Sequence, residues 1–226
     1  MNRLRYTNIS TERDLRVAIV ETGRICYNQG WMVSNDGNIS ARLGDNYIVI
    51  TPAGVSKGRM ETEDPIVLDL DGNLAWSKPG SKYKPSTETP MHLEVYRQRE
   101  DVRGVIHAHP VYATALTVAG QTIPIDVFPE LILTLGDIPV TDFATPSSLE
   151  DAEAIRPLVK THDAILLRQQ GSLTLGKDLD EALINLERVE HVSQVTFMAK
   201  MFGEVGRLPP EIMDKLMKAR LHGGEV

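Results

Sequence analysis

The chain has 226 residues, of which 42% are apolar, enough to build one sizeable hydrophobic core. An intrinsically disordered protein is excluded, because such chains lack the apolar side chains that offset the entropy lost on ordering. With 24 Lys and Arg against 31 Asp and Glu, the formal charge is −7 and no basic stripe stands out. Nucleic acid is therefore not an expected partner.

The sequence gives no sign of a membrane or secretory segment. No apolar run approaches the roughly 18 residues that a membrane-spanning helix needs. Residues 1–12 lack the apolar stretch of a secretory signal. The single cysteine, Cys26, cannot form a disulfide within the chain, which is typical of a reducing compartment. We therefore expect a cytoplasmic protein with no membrane partner.

The first part of the sequence predicts one helix followed by short strands. Thr11 and Asp14 form a capping-box pattern at the start of a helix over residues 11–29. Asp71-Gly72 is a hairpin turn between the last two of four predicted strands. These strands cover residues 38–42, 46–51, 65–70 and 74–76.

The rest of the sequence mixes helices and strands without regular alternation. Thr89 is predicted to cap a helix that begins at Pro90. Further helices are predicted over residues 110–118, 148–160, 178–202 and 210–221, and strands over residues 101–109, 138–141, 164–167 and 172–175. This pattern predicts a single domain over residues 1–226, either α+β or an α/β fold of three α/β/α layers, with a central, mainly antiparallel sheet.

Two histidines form the clearest chemical pattern in the chain. His107 and His109 stand two positions apart at the end of a predicted strand. Their side chains should project to the same side, about 6.6–7 Å apart along the strand. Two imidazoles on one face can hold one metal ion. The pair also suits ordinary hydrogen bonds at a sheet edge, so both interpretations stay open at this point.

A carboxylate lies just ahead of the helix that precedes this strand. Glu88 fits either a solvated charge at a helix terminus or a general base beside a metal ion. In the second case, burial would help to raise its pKa. His92 follows one helical turn later, and we assign it a packing or supporting role in preference to metal ligation.

Turns of small residues offer backbone N–H groups to an anion. Gly37-Asn38 belongs to one such turn and Ala53-Gly54, followed by Lys57, to another, while Ser86-Thr87 can add hydroxyl groups. Each segment is also compatible with an ordinary turn. Neither turn matches a nucleotide-binding motif, so no nucleotide is implied.

In order and spacing, these segments resemble the class II aldolase/adducin head family. The resemblance covers nearly the whole chain. It rests on Gly37-Asn38-Ile39-Ser40, Thr51-Pro52-Ala53-Gly54, Pro85-Ser86-Thr87-Glu88, His107-x-His109 and Leu166-Leu167-x-x-x-Gly171. It implies the family's three-layer fold and a homotetramer of C4 symmetry with active sites between neighbouring subunits.

The resemblance also implies a metal site. One divalent ion per subunit, usually zinc, would be held by His107 and His109. The family's third metal histidine is replaced here by Gln170, whose neutral amide oxygen is a weaker donor for zinc. The site would then favour a harder ion such as Mn²⁺, recruit Glu88 as a further ligand, or lose the metal altogether.

Roles for the remaining residues follow from the same resemblance. Glu88 would be the base that moves the proton. The phosphate of a phosphorylated sugar would bind to Gly37-Asn38, Ala53-Gly54 and Ser86-Thr87. Ala53 stands where related enzymes have a threonine, which removes one hydroxyl donor.

The implied reaction is the metal-dependent aldol cleavage of a ketose 1-phosphate to dihydroxyacetone phosphate and a small aldehyde. A pentulose-phosphate 4-epimerase, a sugar-acid-phosphate decarboxylase or a dehydratase would use related chemistry on the same fold, and these stay as alternatives. A non-catalytic binding module, as in the adducin heads, is a further alternative. Gln170 favours the module, whereas His107, His109 and Glu88 count against it.

Overall fold

A capped helix begins the part of the chain that the computed structural model describes, residues 11–221. Thr11 Oγ1 accepts from the Asp14 N–H at 3.2 Å, and the Asp14 carboxylate accepts from the Thr11 N–H at 3.0 Å. This reciprocal pair starts helix α1 (Glu12–Asn28) where the sequence predicts it. Residues 1–10, which make up most of the segment predicted to lack a secretory signal, and residues 222–226 lie outside the described range.

Residues 11–221 contain one antiparallel sheet of seven strands in the spatial order β4-β3-β2-β1-β5-β7-β6. Each neighbouring pair is antiparallel, which confirms the predicted sheet type. The strands are β1 (Asn38–Leu43), β2 (Tyr47–Ile50), β3 (Ile66–Asp69), β4 (Leu74–Trp76), β5 (Gly104–Ala108), β6 (Ala164–Leu167) and β7 (Gly171–Gly176).

Helices cover both faces of the sheet. Besides α1, they are α2 (Thr89–Gln98), α3 (Val111–Val118), α4 (Pro129–Thr134), α5 (Leu149–Ile155), α6 (Leu179–Phe202) and α7 (Pro210–Leu221). Alternation along β2 directs Val49 towards the core under α1 and α6, and Ile48 and Ile50 towards the core under α2 and α5. The predicted three-layer α/β/α arrangement is confirmed.

Three predicted elements differ from the structure. Residues 138–141 form only an isolated bridge between Val140 and Leu166 instead of a strand. Helix α5 ends at Ile155 and not near residue 160, because Pro157 has no N–H with which to continue the helical hydrogen bonds. Thr89 is not the cap of α2: Glu88 occupies that position, and Thr89 Oγ1 donates to the Ser86 carbonyl at 2.6 Å.

Two elements between α3 and α5 were not predicted from the sequence. They are a 3₁₀ turn over Ile125–Val127 and helix α4. Among the helices of residues 11–221, none is long and apolar enough to cross a bilayer.

Candidate active site

A pocket of about 480 Å³ is lined by nine of the ten site residues predicted from the sequence. The tenth, His107, is fully buried and contacts His109 in the pocket wall. The nine lining residues are Gly37, Asn38, Ala53, Gly54, Ser86, Thr87, Glu88, His109 and Gln170. The structure therefore brings all ten together, although they come from five separate segments.

The antiparallel strand order explains why these segments meet. Along β2-β1-β5-β7, the end of β2, the start of β1, the end of β5 and the start of β7 share one edge of the sheet. The register pairs Asn38 with His107 and Ala108 with Ser172. A bridge between Pro52 and Pro85 then brings the segment before α2 to the same edge.

The two histidines point towards one another. Their Nε2 atoms are 3.1 Å apart. His107 Nδ1 lies 3.0 Å from the Ser172 carbonyl oxygen, and only a protonated nitrogen can donate to a carbonyl. His107 Nε2 in the neutral ring is therefore an acceptor, which receives the N–H of His109 or can bind a metal ion.

Glu88 lies beside this pair and is held through both carboxylate oxygens. Its Oε2 accepts from Asn38 Nδ2 at 2.5 Å and is 3.4 Å from His107 Nε2. Its Oε1 accepts from Gln170 Nε2 at 2.7 Å. The side chain is only 11% exposed, so the interpretation of Glu88 as a solvated helix-terminal charge is wrong.

The expectation that the pKa of Glu88 is raised is also wrong. Burial acts in the raising direction and is the largest single influence on this pKa, but His107, the hydrogen bond from Asn38, His92 and His109 all act in the lowering direction and together outweigh it. The net result is a pKa below the usual glutamate value, because these neighbours stabilise the carboxylate. The pKa of His109 is lowered to about 4, mainly because burial disfavours the charged imidazolium and further because of His107.

A chain of buried hydrogen bonds leads from α2 to Glu88. His92 Nε2 is 2.5 Å from Asn38 Oδ1, so it donates, and His92 Nδ1 then accepts from Ser40 Oγ at 2.6 Å. Ser40 Oγ is left to accept from the Tyr96 hydroxyl at 2.8 Å. Burial lowers the pKa of His92 to about 3, so the ring is neutral and suits these roles. The structure thus gives His92 the supporting role predicted for it, since it orients the amide that binds Glu88.

The donors around the histidine pair fit a divalent ion. Within residues 11–221, His, Cys, Asp and Glu side chains do not form a ready-made cluster of three metal donors. Yet two Nε2 atoms 3.1 Å apart, with a carboxylate oxygen 3.4 Å from one of them, are donors of the type that zinc and manganese bind. Gln170 is at this site, and its amide group contacts Glu88.

Backbone strain is concentrated around the same pocket. In the described part of the chain, three residues other than glycine adopt left-handed geometry: Ser34 (φ 53°), Ser147 (φ 63°) and Gln169 (φ 58°). Ser147 and Gln169 line the pocket, and Ser34 precedes the lining residue Asn35. Such conformations cost about 1–3 kcal/mol each and gather at functional sites.

Several polar residues in the pocket wall were not found from the sequence. They are Asn35, Thr114, Ser147 and Gln169, and Lys57 was noted only as the residue that follows a turn. Tertiary contacts place them, as in the 2.8 Å hydrogen bond between the hydroxyls of Thr87 and Ser147, which are 60 positions apart. No local motif could have indicated them.

Comparison with known proteins gives the same family as the motifs. The sequence model described as "Class II Aldolase and Adducin N-terminal domain" matches residues 17–197. An L-fuculose phosphate aldolase of Methanococcus maripaludis is 35% identical over 77% of this chain and 92% of its own length. A 3-oxo-tetronate 4-phosphate decarboxylase of Haemophilus influenzae is 34% identical over 79% of this chain and 85% of its own length.

A solved structure supports the same assignment. An L-fuculose 1-phosphate aldolase superposes with a TM-score of 0.82 and 27% identity, covering 93% of this chain and 96% of its own. The chain therefore belongs to the class II aldolase and adducin N-terminal domain family. Its similar relatives carry the names of different activities, so the family does not by itself select one reaction.

Proposed function

We propose that this protein is a metal-dependent aldolase that cleaves a ketose 1-phosphate to dihydroxyacetone phosphate and a small aldehyde. The observation that supports this proposal best is the buried Glu88 carboxylate, 3.4 Å from His107 Nε2 and in the same pocket as three segments suited to binding a phosphate. A carboxylate in this position can move a proton to and from carbon, and the neighbouring turns can hold the substrate in place.

His107 and His109 would hold one divalent ion per subunit, with Glu88 and the Gln170 amide as further donors. Zinc is the expected ion. Manganese is the alternative, because Gln170 offers an amide oxygen at the position where a third imidazole would favour zinc. Such an ion would supply a Lewis acid that stabilises the enediolate left when the carbon–carbon bond breaks. The hydrogen bond from His107 Nδ1 to the Ser172 carbonyl would keep the ring oriented for this role.

The substrate's phosphate would bind to Gly37-Asn38, Ala53-Gly54 and Ser86-Thr87. All six residues line the pocket. Gly37 and Gly54 have positive φ values of 71° and 73°, a backbone geometry that occurs in turns whose N–H groups form anion nests.

Glu88 would carry the proton to and from C3 of the substrate. Its lowered pKa keeps it ionised, and therefore able to accept a proton, at neutral pH. Asn38 and Gln170 each donate to one of its oxygens, so the carboxylate is held in one orientation before the substrate binds.

A sugar-acid-phosphate decarboxylase is the second candidate. The 34% identity to the decarboxylase of Haemophilus influenzae is nearly the same as the 35% identity to the aldolase of Methanococcus maripaludis. Both reactions pass through an electron-rich enediolate, so the same metal donors and phosphate-binding turns would serve either.

A substrate panel separates these activities. Purified protein, with Zn²⁺ or Mn²⁺ added, would be incubated with ketose 1-phosphates, pentulose phosphates and 3-oxo sugar-acid phosphates. We expect aldehyde release from a ketose 1-phosphate. Carbon dioxide release would indicate the decarboxylase, isomer formation the epimerase and loss of water the dehydratase. No turnover of any of these compounds would contradict the proposal and favour the adducin-like module.

We also propose that the protein is a cytoplasmic homotetramer of C4 symmetry. Large apolar side chains are exposed at the end of α6, with Met201 70% and Phe202 85% accessible in the single chain. An apolar surface of this kind is typical of a subunit contact. Light scattering at micromolar concentration should give about four times the 25.1 kDa chain mass, and a monomer would contradict this proposal.

A further inference from the structure

Lys57 is a buried cation in the pocket wall. The residue is only 2% exposed. Its Nζ donates to the Asn35 carbonyl oxygen at 2.6 Å. Of the ion pairs found in the described part of the chain, none includes Lys57, so no carboxylate of residues 11–221 lies within 4 Å of its Nζ.

A buried ammonium without a counter-charge is unfavourable. A protein normally pairs such a group or lets it lose its proton. The Asn35 carbonyl accepts one of the three N–H donors of Lys57 and provides no negative charge. Burial lowers the pKa of Lys57 to about 8, against the opposing influence of Asp36 and Glu88. The amine is therefore mostly charged at pH 7 and is stabilised only in part.

The position of this amine is fixed by packing as well as by Asn35. A Cβ atom at Gly23 would come within 3.1 Å of Lys57 Cβ, so α1 lies directly against the base of the side chain. Among the pocket-lining residues that the structure describes, Lys57 is the one lysine or arginine, whereas Asp36 and Glu88 are acids. As residues 11–221 form it, the wall thus lacks the positive charge that a phosphate dianion needs, except at Lys57 and wherever a metal ion binds.

We propose that Lys57 is a specificity residue that binds the substrate's phosphate and supplies the missing opposite charge. This inference rests on the proposed function only in taking the substrate to be a sugar phosphate. We assign phosphate as the anion that Lys57 binds, because Lys57 follows Ala53-Gly54 in the same loop and Ala53 has no side-chain donor. A phosphate dianion accepts several N–H donors at once and forms stronger hydrogen bonds with a charged one.

Binding of inorganic phosphate to the purified protein tests this inference without any turnover. Titration calorimetry at pH 7 would compare the parent with Lys57→Met, which keeps the packing of the side chain but removes its charge. We expect the Kd for phosphate to rise roughly ten- to a hundredfold, the range for losing a hydrogen bond to a charged group. Lys82→Met removes the same charge from an exposed position outside the pocket and should leave the Kd within about twofold.

Two further measurements separate phosphate binding from a structural role. Lys57→Gln keeps a donor for the Asn35 carbonyl and serves as a second neutral variant, and the melting temperature of each variant without phosphate reports its folding. Binding of glycolate, a small hydroxy acid, tests whether Lys57 would serve a substrate carboxylate instead. We expect both neutral variants to lose phosphate affinity and to keep the parent's glycolate affinity.

The inference fails if a folded neutral variant binds phosphate as tightly as the parent, or if only glycolate binding weakens. Its outcome is independent of the reaction. Phosphate binding that depends on Lys57, in a protein that cleaves no ketose 1-phosphate, would support this role and reject the proposed aldolase. If the parent protein cleaves a ketose 1-phosphate and Lys57→Met binds phosphate as tightly as the parent, the aldolase proposal is supported and the role of Lys57 is rejected.

Discussion

Glu88 has a donor on each of its carboxylate oxygens, and this arrangement allows a direct test of its role. Replacement by glutamine conserves the shape of the side chain but removes the ability to accept a proton at neutral pH. We expect Glu88→Gln to lower kcat about 10²- to 10⁴-fold, the usual contribution of a general base. Metal content should stay close to that of the parent if the histidines dominate binding.

The measurements for this variant are the initial rate of aldehyde release and the metal content by mass spectrometry. Glu63→Gln, at an exposed position, is the matched control. A Glu88→Gln protein as active as the parent would show that another group moves the proton.

His109 makes the stability of the metal-free protein depend on pH. Its pKa is about 4 in the folded state against 6.5 for a free histidine, chiefly because of burial. The unfolded chain therefore binds more protons between these values, and stability present above pH 6.5 is lost as the pH falls towards 4. The expected loss from His109 at pH 5 is about 2 kcal/mol.

Urea unfolding in the presence of a chelator, at pH values from 7.5 to 5, measures this effect. His92 should add to the slope, because burial lowers its pKa in the same direction. His109→Gln should flatten the pH dependence. A curve of unchanged slope would mean that this histidine is not held neutral by the fold.

At the scale of elements, Ser40 joins strand β1 to helix α2. Its hydroxyl lies between His92 and Tyr96, and all three side chains are buried. Ser40→Ala leaves His92 Nδ1 and the Tyr96 hydroxyl without their partner. We expect the free energy of unfolding to fall by about 1–3 kcal/mol, the cost of unsatisfied buried polar groups.

Urea denaturation measures this loss, and two variants serve as comparisons. Tyr96→Phe removes only the outermost hydroxyl of the hydrogen-bond chain and should cost less. Ser193→Ala removes a buried serine whose hydroxyl donates to the Val189 carbonyl of its own helix, and it should be nearly neutral. If the Ser40 and Ser193 variants were equally stable, the hydrogen-bond chain would contribute nothing measurable.

Elements with strong local signals could be predicted from the sequence. Thr11 with Asp14, and Asp178 with Glu181, start α1 and α6 where expected, because a capping side chain acts on N–H groups only a few residues away. The common direction of His107 and His109 follows from the alternation of side chains along a strand. These features depend on neighbours in sequence.

Elements stabilised by distant contacts could not be predicted. Helix α4 lies in a segment interrupted by Pro124 and Pro129, with no helical periodicity of its own, and packs against α7. Thr89 has the residue type of a helix cap, but its hydroxyl donates to Ser86 instead. The burial of Lys57 arises where the loop after β2 meets α1, which no local pattern reveals.

For the molecule as a whole, metal binding should contribute to stability. A ligand that binds only the folded state stabilises it by about 2.7 kcal/mol at a free concentration of 100 times its Kd. We expect Zn²⁺ or Mn²⁺ to raise the melting temperature of the parent and a chelator to reverse this effect. His107→Ala should abolish the shift, because it removes a ring held by the Ser172 carbonyl and facing His109.

Differential scanning calorimetry with and without metal tests this expectation. His162→Ala is a suitable control, since that ring contacts only its neighbours Leu158 and Thr161 in the hydrogen bonds of the described residues. A parent protein with no shift on adding either metal would favour the non-catalytic module.

The loops that carry Ala53 and Ser86 are joined to one another before any ligand arrives. Besides the bridge between Pro52 and Pro85, the Ala53 N–H donates to the Lys84 carbonyl at 2.9 Å. An engineer who wishes to change substrate preference by transplanting loops from a relative should therefore exchange both segments in a single step. Moving only one would leave its backbone partner mismatched, and the resulting chimaera would lose the shared geometry on which both depend.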